Sequence, residues 1–323
     1  MPARVSVPGR NGRAMLVKAA RVAVPAAIAA SIVYAVVRLW PDVRHTFATL
    51  DVWTLLGSFA VALAAIGANV KAWQAVLAEL DHDVSTVAAG RIYLVGQLGK
   101  YLPGSVWAFV VQMELSLRAG IPRARGFAGS LILVGISTTA ALVLGLLGLP
   151  ILVQVGGSAV WAVAILAPLA LLCAIPPVLS RLVDTFLRLL RKPRLNHRLR
   201  AVGLLRVGGW MALGWTLFGL HFWLLGVGVS GNHLPSLVDT IGAFALAMTA
   251  GMLAIASPSG LGIREAVLVA SLSSFVGVGT ALGVALASRL VLTAADVLAA
   301  GAAAWSARRL RRDQDAATPA PAH

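Results

Sequence analysis

The chain has 323 residues, of which 59% are hydrophobic and only 12% are charged, and its mean hydropathy is +0.86. Soluble domains are about half apolar and about one quarter charged, so this composition excludes a soluble globular protein and indicates a polytopic membrane protein. The net charge of +15 is then typical of basic cytoplasmic loops and of contact with anionic lipids, and we expect no nucleic-acid partner.

The apolar residues form unbroken runs, which predicts an all-α membrane protein and not a β-barrel. A basic tail at residues 1–21 precedes the first run, and we expect a retained first helix and not a cleaved signal peptide. Six runs are long enough to cross a hydrocarbon core of about 30 Å. They are residues 22–40, 52–78, 126–149, 159–180, 207–229 and 281–305.

Two further apolar regions are broken by Pro and Gly: residues 92–117 and residues 239–280. If the first crossed the membrane, the basic residues at 118–125 would lie outside and every later loop would invert. We therefore predict a re-entrant hairpin there. The second region is either a hairpin entering from outside, which we favour, or two short spans. Two hairpins would give a possible inverted repeat.

The distribution of Lys and Arg sets the predicted topology. The loops at 41–51, 150–158 and 230–238 contain one basic residue, Arg44, and should face outward. The N-terminal tail, the loop at 181–206 with its eight basic residues and the C-terminal tail should be cytoplasmic. This predicts a multi-pass protein of the cell membrane, with a transmembrane domain at 22–306 and a disordered cytoplasmic tail at 307–323.

The segment at 181–200 places Leu182, Phe186, Leu189 and Leu190 among seven basic residues. An amphipathic helix on the cytoplasmic interface, binding anionic lipid, would have this pattern. An ordinary positive-inside loop would have it too, and we favour that interpretation.

Lys100 is the most informative residue of the first break. An ionisable side chain at the centre of an apolar stretch costs about 2.5–3.5 kcal/mol on insertion scales, so it should face a partner or a cavity. Pro103 and Gly104 end the helix, and Ser105 could cap the helix that restarts towards Trp107. A helix N-terminus beside an ammonium favours phosphate or carboxylate. The alternative is a shallow hairpin whose lysine reaches the cytoplasmic headgroups.

The second break repeats this pattern. Pro258, Ser259 and Gly260 end one helix. Gly262 allows close backbone approach, and Arg264 would be an anion clamp where the next helix begins. Glu265 could pair with Lys100 or Arg289, or it could simply favour the positive end of that helix.

Other buried or partly buried polar residues have simpler interpretations. Glu114 and Arg118 have the spacing of an i,i+4 ion pair. Arg289 and Asp296 lie two turns apart on the last span, and we expect interior pairing. A buried histidine such as His221 more often forms an interhelical hydrogen bond than it binds a ligand.

The chain lacks metal-binding, P-loop and nucleophile-elbow motifs, so we expect no metal, no cofactor and no catalytic residue.

The motif from Gly96 to Trp107, Arg118 to Ile121 after it, and the motif from Pro258 to Glu265 resemble the membrane domain of lysylphosphatidylglycerol synthases and related stand-alone flippase-like proteins. The resemblance covers roughly residues 20–305. It implies about eight helical membrane elements with re-entrant segments, and translocation of a lipid with a charged headgroup. We expect the cytoplasmic aminoacyltransferase domain of the fuller relatives to be absent. The chain departs from the common pattern after Gly104, where Ser105-Val106-Trp107 replaces a basic residue followed by Gly-Glu.

The sequence therefore predicts a flippase-like, non-enzymatic protein for an anionic or polyprenyl-phosphate-linked lipid. Glu265 and Asp296 are candidates for proton coupling. The alternatives are a scaffold or accessory subunit for an enzyme of lipid or envelope-glycan assembly, and a membrane-embedded transferase, which the missing metal motif disfavours. The predicted headgroup-binding residues are Lys100, Tyr101, Pro103, Gly104, Ser105, Trp107, Ser259, Gly260, Gly262 and Arg264. The predicted charge-balancing or coupling residues are Glu114, Arg118, Glu265, Arg289 and Asp296.

Overall fold

The computed structural model describes residues 37–101, 106–150, 153, 159–195, 197–231, 234–253 and 262–317. Within these ranges every regular element is helical, which confirms the all-α fold class. The described α-helices are α1 (Trp40–Thr49), α2 (Val52–Glu79), α3 (Thr86–Gln97), α4 (Trp107–Arg118), α5 (Arg123–Gly145), α6 (Ala159–Ala174), α7 (Pro176–Leu189), α8 (Ala201–Ser230), α9 (Leu237–Leu253), α10 (Ile263–Val276) and α11 (Val278–Ala317). Short 3-10 helices follow α3 at Leu98–Tyr101 and α5 at Leu146–Gly148.

In the part of the chain that the structure describes, four helical segments have the length and apolar composition needed to cross a membrane. They are Val52–Glu79, Arg123–Gly148, Ala201–Ser230 and Val278–Ser306. These segments coincide with four of the six predicted spans, and they make the chain an integral membrane protein. Most of the first predicted span, residues 22–36, lies outside the described residues, as does the basic tail before it.

The predicted span at 159–180 is not one straight helix. Helix α6 ends at Ala174, and α7 leaves it at an angle of 87°. Pro176 follows Ile175, whose ψ of 131° is extended, because a residue before proline is sterically disfavoured in the helical conformation. Pro176 is in turn well suited to open α7. The predicted basic loop at 181–206 is accordingly shorter, because α7 and α8 occupy both of its ends.

Helix α1 replaces part of the outward loop predicted at 41–51. It packs on α11, where Gly279 and Gly283 have no side chains and leave room for Asp42 and Thr46. Asp51 then caps α2, because its carboxylate accepts from the backbone N–H groups of Trp53 at 2.7 Å and Thr54 at 3.0 Å. The hydrogen bond from the Thr54 hydroxyl is the largest cause that lowers the pKa of Asp51 below its ordinary value.

The first broken region folds as an antiparallel pair of short helices. The backbone at Gly99 lies against that of Trp107 and Ala108, and the backbone at Gly96 lies against the side chain of Gln112. Helix α4 has 12 residues, and at about 1.5 Å per residue it extends only about 18 Å, well short of a hydrocarbon core of about 30 Å. This geometry supports the predicted hairpin.

The second broken region also consists of short helices. Their described parts, 17 residues of α9 and 14 residues of α10, extend about 26 and 21 Å, less than the hydrocarbon core of about 30 Å, and residues 254–261 between them lie outside the described residues. Helix α10 ends at Val276. Gly277 follows it with a φ of +81°, a backbone conformation that favours glycine, and α11 begins at Val278. The second limb therefore ends at Val276 and not at residue 280 as predicted.

The C-terminal segment differs from the prediction of a disordered tail at 307–323. Helix α11 continues as far as Ala317. The residues after Ser306 are mainly Ala and Arg, which are strong helix formers, and Pro319 is the first helix-breaking residue after them.

Candidate functional site

The 3-10 helix after α3 places two adjacent side chains on one carboxylate of α11. The Lys100 ammonium lies 2.6 Å from Asp296 Oδ2, and the Tyr101 hydroxyl donates to the same oxygen at 2.7 Å. The Lys100 side chain is 37% exposed, whereas that of Asp296 is 14% exposed. The anion predicted for Lys100 is thus supplied, in this structure, by the protein itself.

A second carboxylate joins α10 to α11. Glu265 accepts the backbone N–H of Gly262 at 2.7 Å with one oxygen and pairs with the Arg289 guanidinium at 2.5 Å with the other. Of the predicted roles for Glu265, the structure shows both the stabilisation of the helix N-terminus and the pairing with Arg289. The Glu265 side chain is only 6% exposed, so its ion pair with Arg289 is buried.

Arg289 and Asp296 are seven residues apart on α11 and therefore lie on the same face of the helix. They do not pair with each other. Each instead holds a short helical element from a different broken region, Arg289 through Glu265 and Asp296 through Lys100. Helix α11 is consequently the common support on which the two predicted hairpins meet.

Arg264, at the start of α10, is 8% exposed. Its Nη2 donates to the Ser288 hydroxyl at 3.4 Å, and its guanidinium carbon lies 5.5 Å from the centroid of the Phe244 ring. Its Nε is buried without a hydrogen-bond partner in the described part of the chain. It also forms no ion pair among the described residues, although Glu265 and Asp296 lie within electrostatic range.

The Ser288 contact belongs to a buried polar chain that connects three long helices. The His221 ring of α8 contacts the Ser58 hydroxyl of α2 at 2.6 Å through Nδ1 and the Ser288 hydroxyl of α11 at 3.0 Å through Nε2. Ser58, His221 and Ser288 are fully buried. The Arg264 guanidinium can only donate hydrogen bonds, so the Ser288 hydroxyl accepts from it and donates its own hydrogen bond to His221 Nε2. The ring proton of His221 is then on Nδ1, which donates towards Ser58.

The described cluster has a positive charge surplus. It contains the cations of Lys100, Arg264 and Arg289 and the carboxylates of Glu265 and Asp296. Two of the cations are paired, which leaves one positive charge at Arg264. A low-dielectric interior strengthens the attraction of such a charge for an anion.

The structure does not place every predicted residue in this cluster. Pro103, Gly104, Ser105, Ser259 and Gly260 lie outside the described residues. Trp107 is 45% exposed. The half-helix at Ile263 begins as predicted. Helix α4 begins at Trp107 after Val106, which provides no side-chain cap, and the predicted cap Ser105 lies outside the described residues.

Glu114 forms the predicted pair with Arg118 at 3.5 Å and a shorter pair with Arg123 at 2.9 Å. These side chains are 43–60% exposed, and exposed pairs contribute little to stability. They form a separate surface group on the first hairpin and not part of the buried cluster.

Ser58, Ser288 and Phe244 were not predicted as site residues. Serine and phenylalanine are ordinary inside membrane helices, and their sequence positions carry no signal of a shared contact. Only His221 was conspicuous, and its predicted role as an interhelical hydrogen-bonding residue agrees with the structure.

Gly99 offers a direct test of how the first hairpin positions Lys100. A Cβ at residue 99 would lie 2.6 Å from the Ala108 backbone nitrogen and 2.7 Å from the Trp107 carbonyl carbon, which are backbone atoms that cannot rotate away. We expect Gly99→Ala to separate the limbs and expose residues 98–101 and 106–108 to limited proteolysis, with Gly57→Ala, which meets nothing within 4 Å, as the control. Equal protease resistance in the two variants would contradict this packing.

No curated protein matches the chain. The family model for the lysylphosphatidylglycerol synthase TM region matches residues 22–300, which is most of the sequence and includes both broken regions and the part of α11 that carries Arg289 and Asp296. The chain therefore belongs to the lysylphosphatidylglycerol synthase TM region family.

Proposed function

We propose that the chain is a flippase-like membrane protein that binds the phosphate of an anionic or polyprenyl-phosphate-linked lipid and helps that lipid cross the cytoplasmic membrane. The observation that carries the proposal is Arg264. This buried cation lacks a carboxylate partner among the described residues and lies in the first turn of α10. A phosphate would supply the missing negative charge and the acceptors for its remaining N–H groups.

Lys100 would be the second contact of the headgroup. Its pairing with Asp296 neutralises the Lys100 charge, but the Lys100 side chain is 37% exposed and can exchange partners. A phosphate that attracts Lys100 away would leave Asp296 with the Tyr101 hydroxyl. Binding would then weaken the attachment of the first hairpin to α11, which links headgroup recognition to movement.

The energy source for this movement would be the lipid gradient itself or coupling to protons through Glu265 and Asp296, the two carboxylates of the cluster. The protein would act without a catalytic step. It would lie in the cell membrane with both termini in the cytoplasm, and lipids would be its main partners. Transport that is independent of pH and membrane potential would exclude the coupled form of the mechanism.

The decisive experiment is mass spectrometry of the lipids that remain bound to the purified protein. We expect wild type to enrich one phosphate-bearing lipid over the bulk membrane and a folded Lys100→Ala/Arg264→Ala variant to lose it. Lys71→Ala is the matched control, because Lys71 contacts Gln74 and Thr86 at a distance from the cluster. The identity of the lipid distinguishes glycerophospholipid from polyprenyl phosphate.

Lipid profiles equal to the bulk membrane in both proteins would contradict the proposal. They would favour the scaffold function, in which the hairpins only pack. For a scaffold, the Lys100→Ala/Arg264→Ala substitution should leave the lipid profile unchanged and should instead weaken binding of a protein partner.

A further inference from the structure

Helix α7 carries an apolar surface that the packed core does not use. Leu182, Phe186 and Leu189 are 41%, 52% and 77% exposed. At about 100° per residue these three side chains form one narrow stripe along the helix. A second stripe beside it, formed by Leu179, Val183 and Leu187, is buried in the core. Helix α7 thus has one apolar face that packs in the protein core and a second apolar face that no described residue covers.

Basic side chains border the exposed stripe on its other side. Arg181 and Arg188 are both exposed and lie seven residues apart, so they project along the same edge. Arg188 Nη2 donates to the Thr185 hydroxyl at 3.0 Å, which fixes it on that edge. Around the helix, the order is therefore core, apolar stripe and basic edge, the arrangement of a helix that lies in a membrane interface.

The orientation of α7 agrees with this arrangement. It runs at 87° to α6, an apolar helix, and three charged residues within 14 positions prevent α7 itself from crossing. The chain after it folds back, since Asp184 accepts the backbone N–H of Leu195 at 2.8 Å and Leu195 is buried.

We propose that α7 is a second lipid-binding element, separate from the buried cluster, which docks on an anionic leaflet. Its exposed stripe inserts into the boundary between headgroups and acyl chains. Arg181 and Arg188 bind acidic phospholipid headgroups at that depth. Charge complementarity selects this occupant, because the segment 181–200 contains seven basic residues and one acidic residue, Asp184. The proposal does not depend on the lipid that the central site binds.

The depth of the stripe can be measured on the full chain by electron paramagnetic resonance. Cys173 is the only cysteine, so a Cys173→Ala background accepts a single nitroxide at Leu189→Cys. In vesicles of phosphatidylcholine with phosphatidylserine, we expect the label to meet oxygen more often than a water-soluble nickel complex. A label at Leu290→Cys on α11 is the membrane control, and one at Arg194→Cys in the loop is the aqueous control. A residue 189 label that behaves like the residue 194 label overturns the insertion.

The headgroup role is tested by the preference for spin-labelled phosphatidylserine over phosphatidylcholine at the protein surface. A basic residue near an anionic surface contributes about a fivefold increase in binding, so Arg181→Gln/Arg188→Gln should lower the preference at least fivefold. The matched control, Arg194→Gln/Arg198→Gln, removes the same charge and should change it less. An unchanged preference in the first variant, or equal loss in both, overturns the assignment to α7.

Discussion

Replacing Arg289 with methionine should strongly destabilise the protein. The substitution leaves the Glu265 carboxylate, whose side chain is 6% exposed, without the guanidinium that it contacts at 2.5 Å. Removing one partner of a buried ion pair typically costs about 3–5 kcal/mol. We expect a lower Tm for Arg289→Met in detergent, measured as the loss of monodisperse protein after heating.

The double variant Glu265→Gln/Arg289→Met separates the ion pair from other effects of the substitution. It buries no unpaired charge, and glutamine can still accept the Gly262 N–H that Glu265 accepts now. Its Tm should therefore recover most of the loss. A double variant that is less stable than Arg289→Met, or a single variant as stable as wild type, would show that this pair does not hold α10 to α11.

Replacing Arg264 with leucine should have the opposite effect on stability and a large effect on lipid binding. Arg264 is buried without a carboxylate partner among the described residues, so removing its charge relieves a desolvation cost. In a delipidating detergent, we expect the Tm of Arg264→Leu to equal or exceed that of wild type. A hydrogen bond to a charged group contributes about 1.5–3 kcal/mol, so retention of the phosphate lipid should fall about 10- to 100-fold.

Arg264→Lys is the control for this prediction. It keeps the charge but loses the planar set of donors that suits phosphate, so its lipid retention should lie between wild type and Arg264→Leu. If Arg264→Leu instead lost stability and kept its lipid, Arg264 would be a structural residue and the proposed site would be wrong.

The sequence is sufficient to find the broken regions and the cations within them. Pro and Gly interrupt apolar runs for local steric reasons, and Lys100 and Arg264 stand out because charge is rare inside membrane helices. The positive-inside count similarly indicates that residues 92–117 return to their starting side. These inferences depend on short-range chemistry or on a strong compositional contrast, and the helix bounds at Gln97, Trp107 and Ile263 agree with them.

The pairing of the charges was not predictable in the same way. Glu265 had two candidate cations, and nothing in the sequence distinguishes Arg289 from Lys100 as its partner. The choice depends on how α10 and the first hairpin approach α11, which is a tertiary property. Helix α1 was missed for a similar reason, because its docking depends on the open surface at Gly279 and Gly283, far away in the chain.

The buried His221 has a consequence for how α8 is oriented about its own axis. Between helices in lipid there is little hydrophobic preference for one apolar face over another, and α8 carries Leu, Val, Trp and Phe on all sides. Contacts of the imidazole with Ser58 and Ser288 are satisfied in only one rotational setting. A single residue inserted before His221 would turn the ring by about 100° about the helix axis, away from both serine hydroxyls. Together with the Trp215 indole, whose Nε1 donates to the Ser137 carbonyl at 3.1 Å, this side chain fixes the rotational register of a 30-residue helix.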